Sequence, residues 1–89
     1  MKNEKDDQIL LSILNSCVER IYSQEIKNYE KKSKVALDVL SGACFGVNHT
    51  NPDLHYRLSF ITCLVAIRGF SFITETIENL KDSLLCKNA

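Results

Sequence analysis

The sequence predicts an all-α fold of about four helices, set as two stacked antiparallel hairpins and open to completion by a partner's helix. Three observations carry this. Apolar residues recur at three- and four-residue spacing along most of the chain. Break signals at Ser23, at Gly46 to Pro52 and at Gly69 cut it into lengths of a few helical turns. No segment keeps the strict alternation of a half-buried strand.

The first helix is expected over about 7–22. Ile9, Leu10, Ile13, Leu14, Cys17, Val18 and Ile21 line one face, and Ser12, Asn15, Ser16, Glu19 and Arg20 the other. Residues 1–7 are charged and expected to fray, with Asp6 or Asp7 as the cap. A second helix is expected from Gln24, with Ser23 as its cap and a possible break at Ser33. Its later part, Val35 to Phe45, spreads apolar residues over about 200° of arc, which suits a sandwiched helix or one offered to a partner. Gly46 is expected to end it.

Asn51-Pro52-Asp53 is a helix start: a cap, a proline at the first position and an acid near the positive end of the dipole. The third helix is therefore expected over about 52–68. It holds the longest uncharged apolar run, Leu58 to Ile67, which is shorter than the about 20 residues needed to cross a bilayer. On a wheel, Phe60, Ile61, Leu64, Val65 and Ile67 form a bulky side, and Ser59, Thr62, Cys63 and Ala66 a small one. The β-branched content allows a strand, but the length from Pro52 to Gly69 favours a helix. The fourth helix follows from Ser71 to about Leu85, with Ile73, Ile77, Leu80 and Leu84 on one stripe. Phe72 and Leu85 lie off that stripe, and residues 86–89 are expected to fray.

Bulk composition limits the functions available. A chain of 89 residues makes one domain, 1–89, and a domain this small has a limited core. Yet 45% of its residues are hydrophobic, more than a modest helical core needs. Eleven basic residues balance eleven acidic ones, so no basic surface for nucleic acid is expected. The lysines around Glu30 to Lys34 read as a solvated helical turn. Cys17, Cys44, Cys63 and Cys86 are widely spaced, and the first eight residues are polar, without a secretory signal. Reduced thiols and a cytoplasmic location are therefore expected. Asn48-His49-Thr50 matches a glycosylation acceptor, read in that setting as a chance match.

No reaction chemistry is legible. Cys44, His49, Asp53 and His55 fit no zinc spacing, so no metal is expected. There is no phosphate-binding loop, no cofactor fingerprint and no local nucleophile–base pair. Glu75 and Glu78 read as solvated carboxylates. No catalytic residues and no cofactor are expected, and the chain reads as a non-enzymatic binding protein. Arg57 and Arg68 are either snorkelling cations or anchors for a partner's carboxylate.

The run from Leu58 to Leu80 resembles the middle of a tetratricopeptide-type helical hairpin. A glycine, Gly69, ends the first helix, the aromatic Phe70 follows, and Thr62, Ala66 and Thr74 supply small contact positions. In length and helical layout the chain is similar to the small tetratricopeptide-like chaperones of type III secretion needle subunits. That resemblance implies a cytosolic chaperone holding the amphipathic C-terminal helix of a needle subunit, together with a small helical co-chaperone. Val39, Leu40, Phe60, Leu64, Arg68, Phe72 and Ile73 are the expected contact residues for such a helix. A homodimeric regulator or inhibitor, using the same apolar excess as a self-interface, is the alternative.

Overall fold

A computed structural model describes the backbone of residues 2–47 and 50–88, and the side chains of 4–47 and 50–86. Asn48 and His49, and with them the acceptor motif and one histidine of the candidate metal cluster, lie outside the described residues. The fold class is as the apolar spacing predicts. Four helices follow one another: α1 (Lys2–Ser23), α2 (Tyr29–Val47), α3 (Pro52–Arg68) and α4 (Ser71–Asn88).

Successive helices run antiparallel, as a few contacts show. The Cys17 thiol, in the later half of α1, donates to the Ala36 carbonyl early in α2 at 3.8 Å. Cys44 near the end of α2 meets Thr62 of α3 at 3.8 Å, and Ser33 near the start of α2 reaches Phe70, just beyond α3. The hairpins α1–α2 and α3–α4 close on each other along two seams, α2 with α3 and α1 with α4. The core is the common interior. It takes Leu10, Leu14 and Cys17 from α1, Ala36 and Leu40 from α2, Leu58 and Val65 from α3, and Ile73 from α4, all fully buried. The small Cys17 and Ala36 let α1 and α2 approach closely. Burial pushes the Cys17 thiol up to about 11, so it packs as an apolar group. All four cysteines are free thiols.

The start of α1 corrects one expectation. The helix begins at Lys2, and Asp7 lies inside it, 5% exposed, rather than capping a frayed start. Asp7 Oδ1 accepts from Arg57 Nη2 of α3 at 2.7 Å. Its neighbour Asp6 accepts from Asn51 Nδ2 at 3.0 Å. Two carboxylates of α1, expected to supply its cap, thus tie down the start of α3 instead. Asp7→Ala should cost about 2 kcal/mol, less than a fully buried pair because the Arg57 side chain keeps partial access to water. Thermal unfolding followed by circular dichroism reads this as a fall of about 10 °C. An unchanged midpoint would return residues 2–7 to a frayed tail.

The α1–α2 connection corrects a second. Helix α2 starts at Tyr29, not Gln24, because α1 ends in a closed hydrogen-bonded loop. Ile26 N–H donates to the Ile21 carbonyl and Glu25 N–H to the Tyr22 carbonyl, both at 3.1 Å. Glu25 takes the left-handed conformation, φ 53°. This is the Schellman pattern, with Ile26 folding back toward Ile21. Asn28 then caps α2, its Oδ1 accepting from Lys31 N–H at 3.0 Å. Ser33 does not break the helix, and Gly46 lies within it, one residue before its end.

Helix α3 begins and ends where its signals lie. Asn51 Oδ1 accepts from Leu54 N–H at 3.1 Å, and Gly69 follows Arg68 with φ 86° and ψ −171°. The joint to α4 is held from outside. Tyr29 Oη accepts from Ser71 N–H and donates to the Arg68 carbonyl, both at 3.1 Å. Ser33 Oγ accepts from Phe70 N–H at 2.9 Å. Side chains of α2 therefore satisfy amides at the start of α4 that no intrahelical carbonyl can reach. The Ser71 contacts hold the Tyr29 phenol below its ordinary value. Helix α4 runs on to Asn88, beyond the expected end near Leu85.

Candidate partner-binding face

The spacing of apolar residues on α3 builds this face. Leu54, Leu58, Ile61 and Val65, spaced four, three and four apart, form the stripe that enters the core. Tyr56, Phe60, Cys63 and Ile67 repeat the same spacing two residues later. A shift of two residues is about 200° around a helix, so the second stripe lies opposite the first. It is in solvent: Tyr56 is 72%, Phe60 57% and Ile67 80% exposed, and Cys63 is exposed as well. A helix with one apolar stripe for the core has no need of another. Isolated exposed apolar side chains are ordinary, but a contiguous row is not.

Helix α2 widens the face. Phe45 is 86% exposed and, with Ser41, Ser59 and Cys63, borders a groove of about 440 Å³ between α2 and α3. Its floor carries two polar contacts. Thr62 gives its proton to the Leu58 carbonyl at 2.7 Å, so the Cys44 thiol donates to Thr62 Oγ1. His55 Nδ1 meets the Cys44 carbonyl at 3.1 Å. A carbonyl only accepts, so the proton sits on Nδ1. At the other end of the same seam a second groove, about 380 Å³, runs between Tyr29, Leu37, Ala66 and Ile67. Both are open troughs along helices, and the second also carries Glu30, Lys34 and Arg68 on its rim.

The expected contact residues divide. Phe60 and Arg68 are exposed and Leu64 is half-buried beside them. Val39 and Phe72 are half-buried and pack on the core cluster. Leu40 and Ile73 must be withdrawn. Both are fully buried, Leu40 by the helices on either side of α2 and Ile73 by the inward stripe of α4. Arg68 is engaged within the chain: it bonds Glu75 at 3.0 Å and lies over the Phe72 ring at 5.1 Å. Arg57 is held by Asp7, so neither arginine stands ready as an unspent anchor.

Tyr56, Cys63, Ile67 and Phe45 were not among the expected contacts. The signal for three of them is the repeated spacing counted from Tyr56 rather than from Leu58. A wheel begun inside the uncharged run sorts side chains by size, and so groups Ile67 with the inward Ile61 and Val65.

Among the described residues no group of His, Cys, Asp and Glu is placed to hold a metal ion. Among the described residues no helix is long and apolar enough to cross a membrane. Compared with known proteins, the chain matches no family, no curated protein and no solved structure.

Proposed function

We propose that this protein is a non-enzymatic helix-binding protein that covers the apolar side of a partner's amphipathic helix. The observation that carries the reading is the second apolar stripe of α3, opposite the core and continuous with the groove beside Phe45. Binding is helix in groove: apolar burial drives it, and anchors recurring at three- and four-residue spacing fix the register. The resemblance to the tetratricopeptide-like chaperones of needle subunits suggests the client class, a secreted needle protein whose C-terminal helix is sequestered in the cytoplasm. The uncharged stretch from Leu58 to Ile67 fits a client whose buried face is wholly apolar.

The test is a titration of the full chain with fluorescently labelled amphipathic helical peptides, including one from the C-terminal helix of a needle protein. Binding is expected at micromolar Kd, about −8 kcal/mol. Phe60→Glu should weaken it at least about tenfold while leaving the helical circular dichroism unchanged, since Phe60 lies outside the core. If no such peptide binds the folded chain, the reading is wrong.

A further inference from the structure

The exposed stripe of α3 shares the four, three, four spacing of the inward stripe, so it can meet a second copy of itself about a two-fold axis. Tyr56, Phe60, Cys63 and Ile67 are placed evenly about the midpoint between Ile61 and Thr62. Rotated about a two-fold axis through that midpoint, α3 of a second copy runs antiparallel to the first. Tyr56 then faces the second copy's Ile67, and Phe60 faces its Cys63. Each bulky ring meets a smaller side chain, and Cys63 borders the groove beside Phe45, which leaves room for the incoming Phe60 ring. No charge lies between Leu58 and Ile67 to repel a like chain, and the net charge is zero.

We infer that a second copy of this chain occupies the outer face of α3 when no client is bound, forming an antiparallel α3–α3 homodimer. The inference rests on the helix-binding reading of that face: the self-contact keeps the stripe covered, and a client helix displaces it. The exposed parts of Tyr56, Phe60, Ile67 and Phe45 amount to about 600 Å² per copy, so full coverage in a dimer would bury at most about 1,200 Å², the lower edge of a stable interface. That area suits a dissociable dimer, which a displaceable self-contact needs. The pairing is isologous, so it closes at two copies.

Sedimentation equilibrium of the full chain across a micromolar to near-millimolar range tests this. The weight-average mass should rise from 10.1 kDa toward twice that value. Phe60→Glu should hold it at the monomer mass with circular dichroism unchanged. A Cys86→Ser variant treated with a short bismaleimide should give a covalent dimer through Cys63, near the two-fold axis, and adding Cys63→Ser should abolish it. A monomer at every concentration overturns the inference, as does a dimer that ignores Phe60→Glu and gives no Cys63 cross-link. The two readings fail separately. A monomer that still binds helical peptides through Phe60 removes only the self-pairing, and a Phe60-dependent dimer that no peptide displaces removes only helix capture.

Discussion

Gly69→Ala should lower stability by about 3 kcal/mol, a fall of about 15 °C in the unfolding midpoint. Two effects add. With φ 86° and ψ −171°, Gly69 sits in a region of backbone space open to glycine alone, and any Cβ there is strained. The new methyl would also lie 2.5 Å from Tyr29 Oη and 2.6 Å from a ring carbon. Tyr29 cannot turn away without surrendering its bonds to Arg68 and Ser71. The parts can be separated. In a Tyr29→Ala background the collision vanishes and the backbone strain stays, so the same glycine substitution should cost about 1 kcal/mol less. Urea and thermal denaturation of the four proteins give the cycle. A cost below about 0.5 kcal/mol in the wild-type background would mean the α3–α4 joint is not held as described.

The second large effect contrasts two residues on one helix. Leu58 is fully buried and Phe60, two positions on, is 57% exposed. Leu58→Ala should cost about 3 kcal/mol, from lost burial and the cavity left behind. Phe60→Ala, despite removing a larger side chain, should stay within about 0.5 kcal/mol when measured near 1 µM, where chain association adds nothing. Chemical denaturation of both variants decides which side of α3 faces inward. Equal costs would place Phe60 in the core and remove the outer face on which the function is proposed.

This contrast also marks how far the site is legible in the sequence. Periodicity finds apolar stripes, and on α3 it finds one on each side. It does not say which enters the core, because Leu58 and Phe60 are both large and apolar. Neighbours decide that: α1, α2 and α4 each bring one apolar face, and together they enclose the Leu54–Val65 stripe. The same limit removed Leu40 and Ile73 from the contact set. Each stands in a stretch rich enough in apolar residues to look surplus until all four helices are assembled.

The local chemistry of the chain was decisive where it depends on backbone alone. Asn51-Pro52 begins α3 and Gly69 ends it, because a cap, a fixed φ and a missing Cβ act over one or two residues. The inward stripes of α1 and α4 are likewise set by spacing, since each helix has one apolar side and therefore one way to face. Tertiary structure alone decided what joins distant positions. Asp7, fifty residues before Arg57, becomes a buried partner instead of a helix cap. Ser33, which reads as part of a polar turn, and Tyr29 one helical turn before it become the caps of α4. A hydrogen bond or ion pair across such separations leaves no periodic trace, because it depends on two helices meeting at one height and one angle. Helix starts, stops and apolar faces are properties of short segments, whereas the choice between two equal faces belongs to the assembled core.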